Sequence, residues 1–440
     1  MTGVSQTYWC EHAWLPDGPA PAVALTVDDG RISAVTRDAP RAGTVLTGLV
    51  LPGFANVHSH AFHRALRGRT HGGGGTFWTW RDRMYRLVER LDPDSCYRIA
   101  RAVFAEMLLA GYTSVGEFHY VHHDRAGRRY ADQHAMAHAL VSAAGEVGIK
   151  LTVLDTCYLT GGIGGERLDP VQYRFSDGDV DAWAARAAAF DPGAAHVRVG
   201  AAVHSVRAVP AEHIPVVVAW SRERAVPLHA HVSEQRAENQ ACQAAYGRSP
   251  VQLLAEAGAL DERFVAVHAT HASALDATWL GSSDSWVCLC PTTEQDLGDG
   301  TGPARELANA GARLSVGSDS QAVVDPFAEL RSMEMAERLG RESRGHFTPA
   351  ELIGAGTAHA AIGWPDTGRL EQGSRADLVR VTLDSPRTAG SDPAGVPLCA
   401  SASDIRDVLV DGQWLVREGE HLRVADPAAR LAAAVQEVTA

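Results

Sequence analysis

From about residue 45 to residue 317 the chain repeats one unit, a short apolar run followed by a stretch of helical character. The apolar runs fall at 45–57, 113–121, 150–158, 196–206, 226–232, 264–270, 286–291 and 313–317. Between them, periodic or Ala-rich stretches predict helices at 93–110, 132–147, 180–190, 211–224, 250–257 and 304–310. A half-exposed strand alternates apolar and polar residues. Runs such as KLTVLDT, VAVHAT and RLSVG do not alternate, so each predicts a strand covered on both faces. Strands that alternate with helices run parallel, and eight such units predict a closed barrel rather than an open sheet.

The two ends of the chain follow another pattern. Residues 8–14, 22–27 and 31–35 read as short strands, with a turn at Asp28-Asp29-Gly30. Two further helices are predicted at 326–340 and 349–361, and then β character returns. A turn at 368–373 leads to a strand at 376–381, a Pro-, Gly-, Ser- and Ala-rich loop at 387–401, and a hairpin at 405–416 around Asp411-Gly412. The expected architecture is α/β. It consists of a (β/α)8 TIM-like barrel over 51–365, a small β-sandwich domain built from 1–50 plus 366–424, and a C-terminal helix in 425–440.

Composition narrows the function classes. With 440 residues, 45% hydrophobic and 21% charged, the chain has the balance of an ordinary globular protein. A net charge of −13 with no compensating basic tract argues against nucleic acid as a partner. No apolar run reaches membrane-spanning length, so no membrane partner is expected. The first 18 residues lack a basic region followed by an apolar core and so do not read as a signal peptide; a cytoplasmic protein is expected. The seven cysteines are scattered and imply no disulfide framework, and Cys288-Leu289-Cys290 reads as strand packing.

The twenty histidines change the picture more, because most sit at the ends of apolar runs. His58 and His60 are two apart on the first run, so both imidazoles leave a strand on one side. Alone, such a pair also reads as two hydrogen-bonded histidines. In a barrel, however, the C-terminal strand ends form one face. The other ends supply Glu117 and His119, His204 and Arg207, His229, His231 and Glu234, His268 and His271, and Asp319. Buried polar groups are costly unless paired or bound to metal. The expected ligands are His58, His60, His231 and Asp319 around one divalent cation, with Zn²⁺ suited to three imidazoles and a carboxylate. Glu234, His268 and Asp319 are expected to handle protons. Lys150 is the only lysine and stands at the start of its run, the wrong end for a bridging ligand, so one metal is expected rather than two.

His58-x-His60, His231-x-x-Glu234, His268 and Asp319, with the β domain from both termini, resemble the mononuclear deaminase branch of the amidohydrolase superfamily over essentially the whole chain. The resemblance implies metal-dependent hydrolytic deamination and a homodimer. The words His58-Ser59-His60-Ala61-Phe62, Phe77-Trp78-Thr79-Trp80-Arg81, Glu117 to His123 and His204-Ser205-x-Arg207 resemble those members that act on a small anionic amidine. This implies Arg81, Tyr120, His204 and Arg207 as substrate-binding residues. His63, a fifth substrate-facing position by the same resemblance, stands where the family pattern leads one to expect Gln, and an imidazole offers fewer hydrogen bonds than an amide. The run 202–204 also lacks an expected Pro. Arg81 has a second reading as a solvated residue of an amphipathic helix. Gly72 to Gly75 reads as a lid or a turn. His119, His122, His123, His229 and His271 are expected to orient ligands or to pack. Two other functions stay open at this point: a deaminase or chlorohydrolase acting on a heterocyclic amine such as guanine or a triazine, and a non-catalytic barrel scaffold.

Overall fold

The computed structural model describes residues 5–72 and 75–440. Gly73 and Gly74, the middle of the expected lid or turn, lie outside the described residues. Eight parallel strands form the barrel: β5 (Phe54–Ser59), β6 (Tyr112–His119), β7 (Lys150–Cys157), β8 (Val197–Ser205), β9 (Leu228–Val232), β10 (Phe264–His268), β11 (Trp286–Leu289) and β12 (Arg313–Val316). They pair in sequence order. Closure comes just past β12, where the Asp319 N–H donates to the His58 carbonyl at 3.0 Å and the His60 N–H to the Asp319 carbonyl at 3.1 Å. A Cβ at Gly317 would lie 2.6 Å from the His58 carbonyl oxygen, so glycine is what lets the last strand approach the first this closely. β6 and β7 are buried along their whole length, as strands covered by helices must be.

The second sheet takes strands from both ends of the chain: β1 (Gln6–Leu15), β2 (Gly18–Asp28), β3 (Arg31–Thr36), β4 (Thr44–Pro52), β13 (Leu378–Val381), β14 (Ile405–Val410), β15 (Gln413–Arg417) and β16 (Glu420–His421). Their order is β16-β15-β14-β13-β4-β1-β2-β3, antiparallel except for β1 with β4. β15 and β1 are four steps apart, about 19 Å in a flat sheet. Yet the Tyr8 and Trp414 rings meet edge to face at 5.5 Å, so the sheet curls over its own apolar core.

The run 45–57 does not form the single strand that its pattern predicts. It forms β4 and β5, in different sheets, separated only by Gly53. The Gly53 N–H donates to Asp377 in the small sheet, and the Phe54 N–H donates to the Gly111 carbonyl of the segment leading into β6. From Gly48 to Ser59 the chain is buried on both faces in either sheet, so periodicity carries no mark of the change of sheet. Helices at Arg236–Tyr246, Ala274–Ser282 and Pro291–Leu297 follow β9, β10 and β11 and were not among those expected. The loop 387–401 contains a short helix, Val396–Cys399. Among the described residues no helix is long and apolar enough to cross a membrane.

Candidate active site

The expected ligands converge where the barrel closes. His58 Nε2 lies 3.2 Å from His231 Nε2 and 3.3 Å from Asp319 Oδ1, and His60 Nε2 lies 3.5 Å from the same oxygen. His60 Nδ1 sits 3.1 Å from the Phe118 carbonyl, and His231 Nδ1 sits 2.8 Å from that of His204. A carbonyl can only accept, so both rings carry their proton on Nδ1 and turn an Nε2 lone pair inward. Burial drives all three imidazoles toward the neutral form, His60 down to about 3. A single proton on His58 can satisfy one of these lone-pair contacts, not all of them. The set is therefore poorly satisfied by protein alone and well suited to a cation.

The backbone at these strand ends is unusual. Ser233, His268, Ala269, Asp319 and Gln321 all have φ between +41° and +72°. Such non-glycine conformations cost free energy and cluster where a side chain must be aimed. Here they turn Glu234, His268 and Asp319 toward one point. His268 Nε2 lies 3.8 Å from Glu234 Oε1 and 3.9 Å from Asp319 Oδ2. Burial lowers the pKa of His268, but Glu234, Glu294 and Asp319 outweigh it and raise it to about 10. Glu117 fixes the turn after β5, accepting from the Ser59 hydroxyl and the Ala61 N–H, both at 2.6 Å.

These groups open into a cavity of about 320 Å³, within the range of small-molecule sites. His63, Arg81, Tyr120, His204 and Arg207 all line it. His63 Nε2 lies 3.1 Å from the Tyr120 hydroxyl. Arg81 lies on the helix Phe77–Val88 and is half-buried rather than freely solvated: its guanidinium stacks 4.6 Å from the Trp78 ring, and its Nε is buried without a partner among the described residues. Arg207 donates from Nη2 to Glu234 at 3.1 Å. It thus touches the expected proton carrier as well as the cavity.

Of the histidines left open, His122 bonds the Thr156 carbonyl, His123 faces Asp177 at 3.3 Å and His271 bonds the Asp299 carbonyl. His119 packs on His122, and His229 bonds the Ala361 carbonyl below the ligands. None of these five lines the cavity.

Two strand ends passed over in the sequence also contribute. After β11, Glu294 places Oε1 at 3.3 Å from His268 Nδ1 while accepting from the Cys290 N–H at 2.9 Å. After β7, Tyr158 lines the cavity. Reading all eight ends instead of six would have found both.

The family model described as Amidohydrolase family matches residues 49–415. Formimidoylglutamate deiminase of Pseudomonas aeruginosa is 39% identical over 435 residues, 94% of this chain and 95% of that protein. The 5-methylthioadenosine/S-adenosylhomocysteine deaminase of Halobacterium salinarum is 29% identical over 427 residues, 94% of this chain and 92% of that protein. Among solved structures, an amidohydrolase from Brucella melitensis superposes with a TM-score of 0.90 at 29% identity, covering 99% of this chain and all of that one (100%).

Proposed function

The chain belongs to the amidohydrolase family, and from that premise we propose that it hydrolyses N-formimidoyl-L-glutamate to N-formyl-L-glutamate and ammonia. The observation that carries the reading is the pairing of one cavity with two arginines. Arg81 and Arg207 line the same space as the His58, His60, His231 and Asp319 cluster. A substrate that carries a reactive amidine and two carboxylates uses both features. A neutral planar ring has no use for two guanidinium groups. The 39% identity to a deiminase of that name supports the same substrate.

His58, His60, His231 and Asp319 would hold one divalent cation, Zn²⁺ by the softness of the donors. Such an ion supplies Lewis acidity and lowers the pKa of a water molecule. The rest falls to side chains. Water adds its oxygen to the formimidoyl carbon, and the π pair of the C=N bond moves to nitrogen. With the positive charge of the ion offsetting the carboxylates around it, the His268 ring favours its neutral form, so that His268 and Asp319, 3.9 Å apart, can hold the proton that the water gives up. Glu234 carries one proton to the imino nitrogen as the π pair arrives and a second as that nitrogen leaves as ammonia. The hydroxyl of the adduct gives up its proton to His268 and Asp319 as the carbonyl of the formyl product forms and the C–N bond breaks. Glu294 fixes the His268 ring through Nδ1. Arg81 and Arg207 anchor the carboxylates, with Tyr120, His204 and His63 around the chain of the substrate. The chemistry would serve histidine degradation in the cytoplasm. A homodimer, and the division into a barrel over 51–365 and a small domain from both termini, belong to the same reading.

The test is ammonia release by metal-replete protein, with N-formimidoyl-L-glutamate and S-adenosylhomocysteine compared side by side. Release from the first alone is expected. Release from the second and not the first would overturn the substrate assignment.

A further inference from the structure

Behind the cavity wall lies a buried amide that takes no part in the proposed mechanism. Gln172 is buried in the short helix Pro170–Arg174 and does not itself line the cavity. Its Oε1 accepts from the Asp169 N–H at 2.7 Å, which fixes the orientation of the amide. The NH₂ group is then the outward end. It donates to the Tyr158 hydroxyl oxygen at 2.7 Å and to the Tyr85 hydroxyl oxygen at 3.0 Å. Both tyrosines line the cavity.

A phenol whose oxygen is already accepting must place its own proton elsewhere. Among the described residues neither hydroxyl donates to any acceptor outside this trio. If one tyrosine donates to the other, the second still has a free O–H. Burial, reinforced by the neighbouring Tyr85, holds Tyr158 above the usual phenol range, so it remains a donor. The same wall carries Arg81, whose guanidinium lies 5.4 Å over the Tyr85 ring.

We infer that Gln172 is a positioning residue that turns the Tyr85 and Tyr158 hydroxyls toward the cavity, making with Arg81 a seat for the substrate carboxylate farthest from the reacting carbon. This rests on the anionic-substrate reading above. The substrate class it selects is an amidine with a second carboxylate. Amidines lacking that group gain nothing from the seat.

The test uses the full-length, metal-replete enzyme, with glutarate and butyrate as probes in titration calorimetry. They differ by one carboxylate, so the ratio of their affinities isolates the seat. The unmodified protein is expected to bind glutarate about tenfold or more tightly than butyrate, as one set of hydrogen bonds to a charged group allows. Gln172→Glu keeps the shape but accepts from both tyrosines, and it should collapse that ratio. It should also raise KM for N-formimidoyl-L-glutamate about tenfold with kcat little changed. The double substitution Tyr85→Phe with Tyr158→Phe should do the same, and it carries the test if the Gln172 variant does not fold. An unchanged ratio in either folded variant, or equal losses for both probes, would overturn the seat. Failure of the proposed activity reads differently: no ammonia from N-formimidoyl-L-glutamate in the unmodified enzyme while the ratio stays intact.

Discussion

The two ends of the barrel bury the same kinds of residue and treat them in opposite ways. At the N-terminal end Lys150 is fully buried, and its ammonium is held by Asp377 of the small sheet, with Asp411 Oδ1 at 3.4 Å. His359 uses both ring nitrogens, one toward Ser114 Oγ at 2.6 Å and one toward the Gly53 carbonyl at 2.8 Å. At the C-terminal end the imidazoles of His58, His60 and His231 turn lone pairs toward one another and toward Asp319. His268 Nε2 and Arg81 Nε are buried with no hydrogen-bond partner among the described residues. A buried polar group that its neighbours satisfy is holding the fold together. Where unsatisfied groups gather around one cavity, as they do here, they are positioned for something the protein binds.

Four substitutions or conditions would break or sharpen this contrast. The largest effect is expected from Glu234→Gln at the open end. Turnover should fall about 10⁴-fold, the upper range for a lost proton carrier, while metal content and melting temperature hold. Metal loss, read by elemental analysis, would mean that Glu234 is a ligand instead.

At the satisfied end, Lys150→Met strands Asp377 in the interior. It should cost about 3–5 kcal/mol of stability by denaturant titration. The kcat/KM of the folded fraction should be unchanged. A loss of activity without a loss of stability would erase the distinction between the two ends.

Arg81→Met should raise KM about 10- to 100-fold for a dicarboxylate substrate, as expected for a lost charged hydrogen bond, with kcat held within a few-fold. Steady-state kinetics separates this from the solvated-helix alternative, under which nothing changes.

The smallest effect concerns pH. Burial lowers the pKa of His359 from 6.5 to about 4, so in that interval the unfolded chain binds a proton that the folded chain refuses. The stability contributed by the neutral ring is complete above about 6.5 and is lost as pH falls toward about 4. Across that window the neutral ring should account for up to about 3 kcal/mol of the change in stability read from melting curves, and His359→Gln should remove that share while His119, His229 and His421 keep theirs.

The contrast also shows what was legible in the sequence. The alternation of runs gave the barrel, and the strand-end rule collected His58, His60, His231, Glu234, His268 and Asp319. Two-residue periodicity and strand direction are local properties, so they survive being read in one dimension. The boundary at Gly53 was not legible, because burial on both faces looks the same in either sheet. Nor was Lys150, whose partner lies 227 residues away and is chosen by packing alone. The residues Glu294 and Tyr158 were within reach of the same rule and went unread. Gln172 was not, since its role exists only through the two hydroxyls it holds.

The unsatisfied lone pairs at the closing seam are the central feature of the site, and anomalous scattering at the zinc edge from crystals grown with Zn²⁺ tests their role most directly. One peak is expected, among His58 Nε2, His60 Nε2, His231 Nε2 and Asp319. Seam density without a peak, or an ion held instead by the neighbouring His268, Cys290 and Glu294 group, would contradict it.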